Sequence, residues 1–311
     1  MDMNTLLSYR RYFLFVFIIG GLFISSCETT VDIDIPFEKP QVTLNSTLIH
    51  NTFPKVRLTY SRHILDNNWE FEPITTAEVK LTTDDGQSFY LGYNEESGEY
   101  ISLDYMVMEG KEYTVEVKVE GYDIISATET VPIHVPIKDL IYNGSAKVDS
   151  WSTRDDITLV FDDAIGENYY EISAFYYRQG SYVDQDGNEV YYSDNQPIYL
   201  EPKNPAYEQD FFLDGAVLID DKLFDGKEAK IDFFTSGNFI ELENGGEVQF
   251  VLKVVSPGYY YFRTTSGLQD WNEGDPFAQP VQVYTNIKNG IGIFMTGNVS
   301  SKEMETGTGQ N

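Results

Sequence analysis

Glu112–Glu120 reads EYTVEVKVE. Tyr113, Val115, Val117 and Val119 fall at every second place, with Glu112, Thr114, Glu116, Lys118 and Glu120 between them. Successive side chains of a strand point to opposite faces, so this pattern predicts an antiparallel strand with one dry face and one wet face. The same period spreads outward. Upstream, Val42, Leu44 and Leu48 share one face, and so do Val56, Leu58 and Tyr60. Ala77, Val79 and Leu81 alternate up to Asp84-Asp85-Gly86, after which Phe89 and Leu91 resume. An Asp-Gly pair between alternating runs predicts a hairpin. Downstream, a strand near Ile124–Val131 gives way to Pro132 and Pro136. About seven short strands in about 100 residues, without a helical period, predict a β-sandwich over 38–136 of immunoglobulin-like or transthyretin-like kind.

Pro132–Pro136 marks the expected boundary, and a second β-rich domain is expected over 137–299. Its runs ITLVF (within 156–162) and YYEISAFYY (within 168–177) have the spacing of the B and C strands of a fibronectin-like sandwich. A polar, turn-rich insertion near 180–228 interrupts that pattern, and inside it Tyr182-Val183 and Val190-Tyr191 flank DQDGN at 184–188. Further strands are expected at 229–235, 247–255, 280–286 and 291–297. One helix is expected near 257–271, because Ser256 supplies an N-cap and Pro257 suits the first helical position. The polar stretch 300–311 reads as a mobile tail. The expected fold class is therefore all-β, with two β-sandwich domains and one helix.

The start of the chain sets its expected address. Arg10 and Arg11 precede an uncharged, mostly apolar run from Tyr12 to Ile24, followed by Ser25, Ser26 and Cys27. That run covers about 20 Å as a helix, short of the roughly 30 Å a spanning helix must cross. Residues 1–26 read as a secretory signal peptide. Cys27 is the one cysteine of the chain and sits at the cleavage point. It resembles the cysteine of a bacterial lipobox, whose thiol takes a diacylglycerol, so Cys27 is the expected lipidation site and 27–37 a lipidated linker. An uncleaved anchor, or an ordinary signal with an accidental cysteine, is the other reading. Glu28, Asp32 and Asp34 behind it resemble the surface-export signal of Bacteroidota lipoproteins, which implies outer-membrane anchoring with the cell surface as the destination. A formal net charge of −29 repels phosphate backbones, so nucleic acid is not an expected partner.

Residue types that could carry chemistry have plainer roles in this sequence. His50, His63 and His134 have no carboxylate or histidine at metal-ligand spacing in sequence. Asp184, Asp186 and Asn188 imitate the first places of a calcium loop, but Gly187 stands fourth and Asn195 takes the place of the closing glutamate, so a hairpin turn is expected. Asp155-Asp156, Asp162-Asp163 and Asp220-Asp221 invite a glycosidase reading. Yet neighbours on a strand face opposite sides, and 50 acidic residues produce such pairs by chance. No G-x-S-x-G elbow occurs. Gly290 and Gly292 complete no phosphate loop; Asn289-Gly290 reads as a turn and Gly292 as a place where two backbones approach. No catalytic residue, metal site or cofactor is expected. The 23 tyrosines suit strands and sandwich cores, while Tyr259, Tyr260, Tyr261 and Trp271 are the candidate partner-binding residues.

Four stretches together resemble one family: CETTVDIDIP at 27–36, VRLTYS at 56–61, AEVKLTTDDG at 77–86 and DPFAQPVQVYTNIKNGIGIF at 275–294. They are similar to an uncharacterised Bacteroidota lipoprotein family, a domain of unknown function whose genes tend to lie beside those of TonB-dependent receptors. The resemblance implies a non-enzymatic outer-membrane lipoprotein, an accessory or binding partner of such a receptor in nutrient uptake. A surface adhesion or structural module without a transport role is the alternative.

Overall fold

Among the described residues, thirteen strands join into one hydrogen-bonded sheet, and four more form a second sheet across a shared core. The computed structural model describes residues 39–63, 66, 70–147, 153–209, 215–240, 246–272 and 277–305. Among them, β1 spans Val42–Ile49, β2 Lys55–Tyr60, β3 Glu78–Thr83, β4 Ser88–Asn94, β5 Glu99–Ile101, β6 Glu112–Lys118 and β7 Ile125–Thr130. After the proline pair come β8 Asp139–Lys147, β9 Thr153–Asp162, β10 Tyr169–Val183, β11 Glu189–Ile198, β12 Leu200–Pro202, β13 Glu208–Gln209 and β14 Val217–Asp220. The chain closes with β15 Glu228–Thr235, β16 Glu247–Val255, the helix α1 Pro257–Asn272 and β17 Ile291–Glu305. The protein is all-β with a sandwich-like arrangement.

The long sheet runs β13-β14-β10-β16-β17-β1-β2-β5-β4-β3-β6-β7, with β11 also on β10. The short sheet runs β12-β15-β9-β8. Local alternation is realised as the residues dictate: Tyr113, Val115 and Val117 of β6 are fully buried while Glu112 and Lys118 are exposed. Asp84-Asp85-Gly86 turns β3 into β4, and Gly86 takes a φ of +84°, where a side chain would be strained. One core lies between β9 and β15 of the short sheet and β10, β14 and β16 of the long one, with Phe161, Phe233, Tyr170 and Phe250 at its centre.

A second core gathers Leu44, Leu48, Leu58, Leu81, Val115 and Ala127 from the first seven strands, and it is completed by Ile287 and Phe294 from the far end of the chain. β17 explains how. Its first half pairs in parallel with β1, Thr43 opposite Ile291 through Ile49 opposite Gly297. From Gly297 onward it pairs antiparallel with β16, as far as Glu305 opposite Glu247. One strand therefore serves both cores.

Three expectations are corrected. Residues 300–305 are strand, because β16 offers them a full set of partners; they are not the start of a tail. Residues 280–286 are not strand: two of their backbone N–H groups go to helix side chains, Val281 N–H to Gln269 Oε1 at 3.0 Å and Tyr284 N–H to Thr265 Oγ1 at 2.9 Å. β8 lies in a stretch where no strand was expected, and its Asn143-Gly144 pair, which resembles a turn, is a bulge with Gly144 at φ +101°.

Candidate functional site

α1 begins where its residues say it should. Ser256 Oγ accepts the Tyr259 N–H at 3.3 Å and the Thr296 N–H at 3.2 Å, so one hydroxyl caps the helix and ties it to β17. Glu129 of β7 lies at the same N-terminus, accepting from Asn286 Nδ2 at 2.9 Å and from the Gly258 N–H. Burial raises the Glu129 carboxyl above the usual carboxylate range, and the bonds from Asn286, Ser256 and Gly258 only partly offset this. A Cβ on Gly258 would collide with Glu129 Oε1, so the glycine is what lets the carboxylate reach the helix end.

The candidate aromatic residues then divide. Tyr259 is 6 % exposed and faces the sheet, where its hydroxyl donates to Glu171. Lys253 pairs with the same carboxylate at 2.5 Å and lies 5.2 Å from the Tyr259 ring. Tyr259 thus anchors the helix, its ring buried against the sheet rather than presented to solvent like Tyr261 and Trp271. Tyr260 is half-buried and stacks on Tyr169 with ring centroids 4.5 Å apart. Tyr261 is partly exposed, shares a 2.8 Å hydrogen bond with the Tyr169 hydroxyl and lies 5.7 Å from Tyr284. Burial, then Glu167 and Tyr261, push the Tyr169 phenol upward. Trp271, at 70 % exposed, points outward.

With about 100° per residue, Tyr261, Leu268 and Trp271 fall within about 80° of arc on the outer face of α1. Leu268 is 55 % exposed, and Phe277, just past the helix, is 91 % exposed. Neither residue stood out in the sequence, because a single leucine in a polar helix and a phenylalanine beside a proline are unremarkable. The outward face of α1 is therefore Tyr261, Leu268 and Trp271, on a helix whose first turn is held by the Ser256 cap and the Tyr259 hydroxyl. No helix among the described residues is long and apolar enough to cross a membrane.

The acidic pairs behave as strand geometry requires, one member in and one out. Asp162 pairs with Lys138 at 2.9 Å and Asp156 with Lys203 at 2.5 Å, both on the surface side. Asp155 is buried and accepts from the N–H groups of Phe239 at 2.6 Å and Ile240 at 3.1 Å. The inward members Asp163 and Asp221, joined by Asp225, bring carboxylate oxygens within 4.8 Å of one another. Oxygen donors of this kind suit a hard cation. However, Asp163 already accepts from the Tyr170 hydroxyl and, at 2.8 Å, from the Gly226 N–H, and Asp221 accepts from the Asn168 N–H at 2.7 Å. Burial raises the Asp221 carboxyl, with Asp163 and Asp225 adding to the shift.

Folding also joins groups that look unrelated in sequence. The Glu109 N–H donates to His50 Nδ1 at 3.0 Å, and Glu109 Oε2 accepts from the His134 N–H at 2.8 Å and from Asn298 Nδ2 at 2.7 Å. Those bonds hold the Glu109 carboxyl below its ordinary value. Glu109 thus ties two histidines together through contacts that span the sequence, His50 by its ring to the Glu109 backbone and His134 by its backbone to the Glu109 carboxylate, and the bonds are those of a structural knot. Asp184 closes the β10–β11 turn by accepting from the N–H groups of Asp186 at 3.0 Å and Asn188 at 2.8 Å. Asn195 is paired with Tyr177 down the strand, about 23 Å from that turn, so it does not complete a loop there. Cys27 lies outside the described residues.

The family described as Domain of unknown function (DUF4249) matches residues 28–303. Among curated proteins, none matches this chain.

Proposed function

The chain belongs to that family of unknown function, and on this premise we propose that it is a non-enzymatic lipoprotein of the outer membrane, held by an acylated Cys27, facing the cell surface and serving a TonB-dependent receptor in nutrient uptake. The observation that carries the proposal is the outer face of α1. Aromatic and aliphatic anchors on a rigid element are what protein interfaces use, since little side-chain freedom remains to be lost on binding. Tyr261, Leu268 and Trp271 share that face, and the Tyr259–Glu171–Lys253 network together with the Ser256 cap holds the helix beneath them. The non-enzymatic reading is supported by the buried carboxylates Asp155, Asp163 and Asp221, each of which has at least one oxygen accepting from the protein's own N–H or O–H groups. The lipid anchor and the receptor rest on the sequence of residues 1–36 and on the resemblance that goes with it.

A photo-crosslinking residue in place of Trp271 tests the partnership in cells, with the same residue in place of exposed Tyr90 as the control. Crosslinks to a TonB-dependent receptor from position 271 and not from position 90 support the proposal. Equal crosslinking from both positions, or none to such a receptor, overturns it. Incorporation of a clickable palmitate analogue that persists in Cys27→Ser overturns the anchor.

A further inference from the structure

The end of a sheet is a row of unpaired backbone groups, ready to pair with another strand, and proteins guard such ends. The four ends of the two sheets are guarded. β13 is two residues long and β12 three, the latter closing on Pro202. β7 is covered at Ser126, whose N–H and C=O exchange hydrogen bonds with those of Lys288. The pairing of β8 is broken by its bulge at Asn143-Gly144. β11 is different. Among the described residues its ten positions, Glu189–Ile198, pair with β10 and with no other strand, in an unbroken register. Beyond Tyr177 β10 has left β16 behind, so the two strands stand out as a ribbon with β11 as its longer free edge.

At the closed end of the hairpin the Asp184 N–H donates to the Asn188 carbonyl at 2.9 Å. Antiparallel pairs alternate between bonded and non-bonded, so the N–H and C=O groups of Glu189, Tyr191, Ser193 and Asn195 point away from β10. Pro197 falls at the next such place, where its missing N–H takes no bond from β10. Side chains brace the ribbon on both faces. On one, the Arg178 guanidinium lies 5.5 Å from the centre of the Tyr192 ring and the Tyr182 ring 6.5 Å from it. On the other, Ser181 Oγ donates to Glu189 at 2.8 Å. The edge is thus in place before any strand arrives, and little of its backbone freedom remains to be lost. Its charge selects the occupant. Asp184, Asp186, Glu189 and Asp194 stand on the ribbon against one cation, Arg178. A second copy of the chain would bring the same acids to the same edge, and a further −29 with them. We propose that β11 receives an extended, cationic segment of a partner protein as an added strand. Its backbone bonds to Glu189, Tyr191, Ser193 and Asn195, and its Lys or Arg side chains lie beside Glu189 and Asp194. The inference goes beyond the docking face on α1 and does not rest on it.

The test is fluorescence anisotropy of the full-length protein, purified in detergent, with a labelled peptide that alternates lysine and threonine. Two companions separate charge from strand pairing. One is the glutamate–threonine twin, and the other is the lysine–threonine peptide N-methylated throughout, which keeps its charge but has no N–H to give. The expected result is binding of the lysine peptide and none of the glutamate twin. N-methylation should weaken binding about tenfold or more, and so should Ser193→Pro in the protein. Ser193→Pro removes an outward N–H and no bond to β10, so the melting temperature should stay near the parent value. The proposal is overturned by no binding of the lysine peptide, by equal binding of the glutamate twin or of the N-methylated peptide, or by binding indifferent to Ser193→Pro. Should Ser193→Pro lower the melting temperature, the N-methylated peptide decides alone. Crosslinking from position 271 reads the receptor partnership separately, so the two fail independently.

Discussion

Gly292→Val strikes the point where the two cores are joined. Gly292 sits at φ +103° in β17, directly opposite Leu44 of β1 in the parallel register. A side chain there would collide with the Leu44 carbonyl oxygen and lie 2.9 Å from its carbonyl carbon. Those atoms are backbone, so no rotamer change relieves the clash; β1 must move away from β17. Holding a β-branched residue at positive φ costs about 1–3 kcal/mol, and overpacking a filled interior about 1–3 kcal/mol more. A central value near 4 kcal/mol corresponds to a fall of roughly 8–16 °C in melting temperature at this chain size. Two controls separate the terms. Gly86 has φ +84° with nothing within 4 Å of its missing Cβ, so Gly86→Ala should lose only the backbone term of about 1 kcal/mol. Gly92 has neither positive φ nor a neighbour within 4 Å, so Gly92→Ala should melt with the parent. Thermal melts followed by far-UV circular dichroism compare the four proteins. If Gly292→Val melts within a degree or two of Gly86→Ala, close approach of β1 and β17 is not what this glycine provides.

Other outcomes follow from the same contacts. Glu129 is raised in the folded state, so the folded protein holds its proton at higher pH than the unfolded chain does. Its contribution favours folding at low pH and is lost as pH rises from its unfolded value through its folded one. Urea midpoints across that range should show a flatter profile for Glu129→Gln; an unchanged slope would refute the linkage. Phe294→Ala, in the last strand, should cost about 3–5 kcal/mol and lower amide protection in β1 and β2 as well as β17, because its ring belongs to the core of the first seven strands. Protection lost only in β16 and β17 would contradict that placement. Tyr259→Phe removes the hydroxyl from Glu171 and should destabilise by about 1–3 kcal/mol. Trp271→Ala, at an exposed position, should stay within about 0.5 kcal/mol of the parent while losing receptor contact. A reversal of that order would exchange the structural and docking roles.

Much of the fold was legible because a strand's faces are a local property. The pleat alone sends Tyr113, Val115 and Val117 one way and Glu112 and Lys118 the other, and Asp84-Asp85-Gly86 carries its own turn chemistry. The all-β class, most strands before β8, and the Ser256-Pro257 start of α1 follow from such short-range rules. The failures share a cause. Residues 280–286 look extended, but whether an extended segment is a strand depends on who takes its N–H groups, and here Gln269 and Thr265 of the helix take two of them. Residues 300–305 look like a polar tail, yet β16 lies alongside with free ladder positions.

By itself, then, the sequence determined the period of each strand, the tight turns and the capped helix. The tertiary structure alone decided that β17 pairs with both β1 and β16, that Tyr259 turns inward while Tyr261, Leu268 and Trp271 face out, and that β10 and β11 run past their sheet as a ribbon. It also decided which acids meet: Asp163 with Asp221 and Asp225, and Glu109 with His50 and His134. The physical reason is range. Side-chain direction is set by the dihedral angles of one residue and its neighbours, but pairing partners are set by which edges and surfaces remain uncovered once every other segment has been placed.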